Sequence, residues 1–381
     1  MNDQKICIIG DGLAGLMAAI VLSKENVEID LYCNKKKNNK DLDSRTTAIS
    51  ESNYQYIKKN LNFNGRDFFW ACKKINLFYE DKKKIINFFN FKEKQTTLMY
   101  IFQNKDLKKA LNKKITKIKN IKIIKKKIED INSEEGCIRS GKKKNFYDLI
   151  ILSIGGQSKL YSTIEEGRSI EKNYEELGLT AIIKHNAKIE NVSQFFLKEG
   201  PLAILPFQKK VFSTVWSVSR KFFDINKKNI RNILTKKLRI LLKTKSIKNI
   251  VNIQFFPINL NLKTKYFKKN VLILGDGLHT VHPMAGQGFN LVIRDIKKLN
   301  ELMSATLKLG LLIKDSFILK NFYNSRKPEN NLFGLGINLT NIFFKDNKYF
   351  FPLKKGILNN ISKFSFVRKI SQSISDRGIL F

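Results

Sequence analysis

Lys5-Ile6-Cys7-Ile8-Ile9-Gly10-Asp11-Gly12-Leu13-Ala14-Gly15 decides the fold of this chain. The first five residues are a short β-rich run. Three glycines follow with G-x-G-x-x-G spacing, and Leu16 to Leu22 continues in a helical pattern. A second apolar strand, Val27 to Tyr32, comes where a βαβ unit needs it. Each glycine has its own task. One makes the tight turn, one lets a phosphate approach the backbone, and one lets the helix pack closely on the strand. The run predicts a dinucleotide-binding unit and no targeting segment, because a cleavage within Leu13 to Leu22 would destroy it.

The second informative stretch is Gly275-Asp276-Gly277-Leu278-His279-Thr280-Val281-His282-Pro283-Met284-Ala285-Gly286-Gln287-Gly288-Phe289-Asn290. An apolar run, Val271 to Leu274, precedes it and reads as a buried strand. A helical pattern, Leu291 to Leu299, follows it. Strand, acidic turn, Gly-rich loop and helix start succeed one another. Free N–H groups and the positive dipole end belong to a helix start. Small residues let a ligand lie against that backbone. Asp276 is suited to accept hydrogen bonds from ribityl or ribose hydroxyls.

Together these stretches resemble the FAD-dependent aromatic-ring hydroxylases, and within them most the ubiquinone-biosynthesis hydroxylases. The likeness runs nearly the whole chain. It includes Asp43-Ser44-Arg45-Thr46-Thr47-Ala48-Ile49-Ser50 and Tyr100-Ile101-Phe102-Gln103-Asn104-Lys105-Asp106-Leu107. It continues through Glu199 to Pro206, Val215-Trp216-Ser217, and Tyr323 to Lys327 with Asn330. The resemblance implies an α/β fold like that of p-hydroxybenzoate hydroxylase. A Rossmann-like FAD-binding domain (1–72, 104–161 and 265–330) interleaves with a smaller mixed-sheet substrate domain (73–103 and 162–264). C-terminal helices occupy 331–381.

The resemblance also implies the chemistry. FAD is the cofactor, NAD(P)H the reductant and dioxygen the oxidant, and a polyprenylated phenol is hydroxylated on its ring through a flavin hydroperoxide. The protein supplies orientation, electrostatics and a dry pocket, so no nucleophile–base pair is required. Expected cofactor-binding residues are Gly10, Gly12, Gly15, Arg45, Gln103, Gly155, Asp276, Ala285, Gly286, Gln287, Gly288 and Asn290. Pro283, Gly286 and Gln287 would border the reacting end of the flavin. His279 and His282 read as structural loop residues, Trp216 as sheet core or pocket wall, and His185 as a sheet or surface residue.

Two departures from the family pattern stand out. The acidic residue that holds the adenosine ribose at the end of the second strand is replaced by Cys33, with Asn34 beside it. The family's mid-chain Ala-Asp-Gly with a following Ser and Arg appears here as Ser153-Ile154-Gly155-Gly156-Gln157-Ser158-Lys159-Leu160-Tyr161. Ile154 replaces the aspartate and Tyr161 the arginine. These departures also fit a related flavoprotein acting on another aromatic or isoprenoid compound, or an impaired flavin-binding scaffold of a biosynthetic complex.

Composition bounds what remains. The chain has 381 residues, 43% of them hydrophobic, enough for two joined domains with a sizeable core. Lys plus Arg number 71 against 33 Asp plus Glu, a formal charge of +38. The lysine runs at 35–37, 82–84, 125–127 and 142–144 are dispersed and accompany no nucleic-acid motif, so nucleic acid is not an expected partner. An anionic membrane surface and other quinone-biosynthesis proteins are. Phe343, Phe344, Tyr349, Phe350, Phe351 and Phe364 to Phe366 alternate with Lys345, Lys348, Lys354, Lys355 and Lys363 as a basic-aromatic region. The expected location is the cytoplasm, at the inner face of the membrane. Cys7, Cys33, Cys72 and Cys137 have no metal-ligand spacing and suit a reducing compartment, and no metal is expected.

Overall fold

Strands that are apolar on both faces belong inside a parallel sheet covered by helices. Lys5–Ile9 and Leu149–Leu152 are such strands, and they pair in parallel at the centre of a six-stranded sheet. The computed structural model describes residues 4–33, 45–61, 68–82, 84–92, 97–155, 158–164, 169–283, 287–314 and 316–344. Across the sheet the order is Phe267–Lys268, Val271–Ile273, Leu149–Leu152, Lys5–Ile9, Glu28–Tyr32 and Ile121–Ile124. The Phe267–Lys268 edge strand runs antiparallel to its neighbour, and the other pairings are parallel. Helix Leu13–Leu22 is buried from Gly15 to Leu22 because it lies between the sheet and helices Asn104–Ile115 and Gln287–Lys308. That enclosure explains why its sequence is apolar on every face.

The second large sheet has eight strands, in the order His279–Thr280, Ile247–Lys263, Ser169–His185, Val211–Ser219, Gly200–Gln208, Val192–Leu197, Lys74–Asp81 and Lys84–Lys92. It is mixed: Val192–Leu197 pairs in parallel with Lys74–Asp81, while its other ladders are antiparallel. Helix Ile230–Leu241 buries Ile230, Leu234, Leu238 and Leu241, the i, i+4, i+8, i+11 stripe of an amphipathic helix, in one core with Leu179 and Trp216 of this sheet. Trp216 is fully buried and belongs to the core. His185 is buried as well, with Nδ1 at 2.9 Å from the Ala187 carbonyl.

Three sequence readings are refined. The acidic turn after Val271–Ile273 is one turn of 3₁₀ helix, Gly275–Gly277, after which His279–Thr280 joins the eight-stranded sheet beside Asn261 and Leu262. A single segment thus fastens both sheets. The helix after the Gly-rich loop begins at Gln287 and not at Leu291, because Gly288, Phe289 and Asn290 already form its first turn. The C-terminal helix begins at Ser316 and runs to Phe344, so the expected helical region at 331–381 starts inside it. The basic-aromatic residues from Lys345 to Phe366 lie outside the described residues.

A buried charge network joins these last two helices to the turn. Asp295 is fully buried; its Oδ2 lies 2.6 Å from His279 Nε2, and its Oδ1 accepts from Arg326 Nε at 2.7 Å. Arg326 also reaches Glu329 and donates to Asn330 Oδ1 at 3.0 Å, while Arg294 meets Glu329 at 3.2 Å. Burial pushes the Asp295 carboxyl up, but Arg326 and then His279 outweigh it and hold the group below the usual carboxylate range. A depressed carboxyl lends stability at pH values above its unfolded pKa, about 3.9. That stability drains away as pH falls through the folded-state value. Asp295→Asn leaves Arg326 and His279 facing a neutral amide in a dry site. We expect it to lose about 3–5 kcal/mol in urea unfolding at pH 7, with a flatter decline of stability below about pH 4. A loss like that of a surface pair, under about 1 kcal/mol, would contradict this account.

Candidate active site

Two of the three fingerprint glycines make the close backbone contacts that their spacing predicts. Gly10 has φ +125°, its N–H donates to the Tyr32 carbonyl at 3.0 Å, and a Cβ on it would lie 2.3 Å from the Ser153 carbonyl oxygen. A Cβ on Gly15 would lie 2.0 Å from the Gly10 carbonyl oxygen, so helix and turn touch backbone to backbone. Gly12 differs. Its φ of −74° suits any residue, and a Cβ there would meet nothing within 4 Å. The middle glycine therefore faces open space at a helix N-terminus, the arrangement that admits a pyrophosphate. These residues fit an FAD.

Ser153, which the sequence did not single out, closes this turn from beneath. Its N–H donates to the Ile9 carbonyl at 2.8 Å, and its hydroxyl sits under Gly10 and Gly15. A small residue directly after the central strand Leu149–Leu152 was the available signal.

The distant stretch arrives at the same edge of the parallel sheet. Gly275 has φ +83°, and a Cβ on it would lie 3.0 Å from Ala14 Cβ. The Asp276 side chain is exposed, while its carbonyl accepts from Thr280 Oγ1 at 2.8 Å. The two departures from the family pattern acquire physical roles here. Ile154 is partly buried and packs on the main core. Tyr161 is buried, and its hydroxyl donates to the Gly155 carbonyl at 2.5 Å. The same hydroxyl occupies space that a Cβ on Gly277 would need, 2.1 Å away. Tyr161 thus bolts the Gly155 loop, whose glycine has φ +88°, to the Gly275–Gly277 turn.

Arg45 and Gln103 meet through a small sheet. Thr46–Ser50 pairs antiparallel with Met99–Gln103, with Thr46 opposite Gln103, and the Arg45 carbonyl accepts from the Asn104 N–H at 2.9 Å. Arg45 is exposed. Gln103 is buried at the start of helix Asn104–Ile115, whose Lys108 reaches Asp11 in the fingerprint at 3.3 Å. Thr46 Oγ1 donates to Ser213 Oγ of the eight-stranded sheet at 2.6 Å. Asn290 faces the protein: it donates to the Ala48 carbonyl at 3.0 Å, and its oxygen accepts from the Ser50 N–H at 3.0 Å and Asn53 Nδ2 at 2.8 Å. Its amide clamps helix Gln287–Lys308 to the Thr46–Ser50 strand, so its geometry is that of a support and not of a side-chain ligand.

Pro283 precedes the loop, and Gly288 opens to free space in the first helical turn. Ala285 and Gly286 lie outside the described residues, as does the Gln287 side chain. Each histidine before the loop meets a buried carboxylate from a different element. His279 is on Asp295 of the following helix, and His282 Nε2 lies 3.1 Å from Glu176 of the Ser169–His185 strand. The Tyr174 ring stands edge-on to His282 at 5.5 Å. Glu176 carries no motif and lies far away in sequence, so nothing in the chain pointed to it.

A family model described as FAD binding domain matches residues 153–310, and one described as Glucose inhibited division protein A matches residues 5–221. The chain is 26% identical to a ubiquinone biosynthesis monooxygenase, COQ6, of Dictyostelium discoideum, over 95% of this chain and 89% of that protein. It is 26% identical to the 3-demethoxyubiquinol 3-hydroxylase of Escherichia coli K12, over 49% of this chain and 45% of that protein. Among solved structures, the p-nitrophenol 4-monooxygenase PnpA of Pseudomonas putida DLL-E4 shares the fold with a TM-score of 0.80 at 14% identity, over 99% of both chains. HpxO of Klebsiella pneumoniae, solved with FAD and uric acid, does so with a TM-score of 0.75 at 14% identity, over 98% of this chain and 97% of that one. With its glycine cradle and its two converging segments, the chain belongs to the FAD-dependent aromatic-ring hydroxylases and is an FAD-binding monooxygenase.

Proposed function

We propose that this protein hydroxylates the ring of a polyprenylated phenol in ubiquinone biosynthesis, with NAD(P)H as reductant and dioxygen as oxidant. The observation that carries the reading is the close approach of Gly275 to Ala14, which supports one site shared by both segments, in a chain similar to COQ6 over nearly its whole length. FAD, when bound, supplies dioxygen activation and oxygen transfer, which side chains alone do not provide. The protein binds, orients and excludes water.

In this reading Gly10, Gly12 and Gly15 hold the pyrophosphate, with Arg45 beside it. Gln103, Gly155 and Asp276 serve the ribityl and ring side. Pro283, Ala285, Gly286, Gln287 and Gly288 surround the reacting end, where N–H groups at the start of helix Gln287–Lys308 stabilise negative charge. Asn290 keeps that helix start in register. The phenol lies between this loop and the eight-stranded sheet, and residues 73–103 and 162–264 act as the substrate domain. A formal charge of +38 supports attraction to an anionic bilayer at its inner face, where a prenylated substrate and other quinone-biosynthesis proteins would meet it. No helix among the described residues is long and apolar enough to cross a membrane.

Ile154, in the place of the family's aspartate, favours a second reading, a flavin-binding scaffold with weakened chemistry. Aerobic assays separate the two. The hydroxylase consumes NAD(P)H faster when a prenylated phenol is added, and the product gains the mass of one oxygen. Bound flavin without stimulated consumption contradicts the hydroxylase and leaves the scaffold.

Gly12→Val tests the cradle. The backbone there is open to any residue and the space is empty, so the unfolding midpoint of the flavin-free chain should change little. FAD affinity should fall at least tenfold, because the valine stands where the phosphate approaches. Gly10→Ala should instead lower stability, since its Cβ strikes the Ser153 carbonyl. Equal FAD affinity in Gly12→Val and the unaltered chain would remove the pyrophosphate from this turn.

A further inference from the structure

A dinucleotide-binding βαβ unit provides an acceptor for the adenosine ribose at the carboxyl end of its second strand, most often a carboxylate. Here Cys33 occupies that place, directly after Glu28–Tyr32. Its thiol is a weak acceptor. It is half-buried, and its Sγ lies 3.9 Å from the Leu31 carbonyl. Burial, and then Asp11, push the Cys33 thiol up against the opposite pull of Lys108 and Lys125, so it stays uncharged at neutral pH. Asp30, on the strand itself, is buried and committed: Lys5 Nζ lies 3.0 Å away, and the Tyr147 hydroxyl donates to it at 2.7 Å.

Asp11, in the fingerprint turn, is a carboxylate beside the end of that second strand. The Gly10 N–H to Tyr32 carbonyl bond laces the fingerprint turn to the end of the second strand and brings Asp11 there. Its side chain is 44% exposed and adjoins Gly12, whose missing Cβ opens onto empty space. Lys108, reaching across from helix Asn104–Ile115, donates to Oδ2 at 3.3 Å. Oδ1 has no protein partner among the described residues.

We propose that Asp11, held in place by Lys108, accepts the adenosine ribose hydroxyls of FAD in place of the carboxylate missing at position 33. The inference rests on the FAD-binding reading above. It explains how the chain carries a thiol at the ribose position without losing the cofactor: the acceptor has moved from the second strand into the first turn.

The test is a titration of the full chain, freed of flavin, with FAD and with FAD whose adenosine lacks the 2′-hydroxyl, followed by flavin fluorescence. The unaltered chain should bind FAD about tenfold more tightly than the deoxy analogue, the scale of one hydrogen bond to a charged group. Asp11→Ala should bind both about equally, and Cys33→Glu added to it should restore the preference. Should Asp11→Ala fail to fold, Asp11→Leu carries the same comparison. A preference that survives in the Asp11 variants, or none in the unaltered chain, overturns the assignment. An unaltered chain that binds neither flavin overturns the FAD-binding reading as well.

Discussion

Backbone-to-backbone packing at the carboxyl edge of the parallel sheet is the constraint on which this structure depends. Gly10 and Gly15 touch each other and Ser153 at distances that no side chain tolerates, and Gly275 rests on Ala14. Interiors are packed too tightly to absorb an added methyl group at such contacts. The contacts therefore fix how helix Leu13–Leu22 sits, and with it the direction in which its free N–H groups point. Everything proposed for cofactor binding follows from that direction. The one fingerprint glycine that makes no close contact, Gly12, is the one proposed to admit the pyrophosphate.

A second constraint holds the later loop. The segment from Gly275 to Asn290 leaves the six-stranded sheet, visits the eight-stranded sheet as His279–Thr280 and returns to form a helix. Its attachments come from different elements: Tyr161 at Gly277, Asp295 at His279, Glu176 at His282, and the Thr46–Ser50 strand at Asn290. A buried carboxylate beside each histidine is costly unless the partner stays. A chain that retains both pairs therefore holds this loop at a set distance from each sheet.

Much of this was legible in the sequence, for a physical reason. The glycine spacing, the flanking apolar strands and the helix that follows are local properties, and each glycine's task follows from neighbours a few residues away. Lys5–Ile9 was readable as a strand for the same reason, but its parallel pairing with Leu149–Leu152 was not, because the partner lies more than a hundred residues on. What escaped were pairings across long loops. Asn290 reads as a loop residue near a ligand, but its partners at Ala48, Ser50 and Asn53 lie some 240 residues earlier, and no pattern in the chain announces them. Tyr161 reads as a lost arginine, yet it packs against a glycine more than a hundred residues on. Helix starts were misjudged where polar residues such as Gln287 and Asn290 occupy the first turn, since periodicity is carried by the apolar positions that come later.

Hydrogen–deuterium exchange on addition of FAD tests the central claim most directly, because it reads both segments in one experiment. If one FAD is gripped by both, amides between Gly10 and Leu16 and amides between Gly286 and Leu291 should slow together, with the same dependence on FAD concentration. Protection confined to either segment alone, at saturating FAD, would contradict the account.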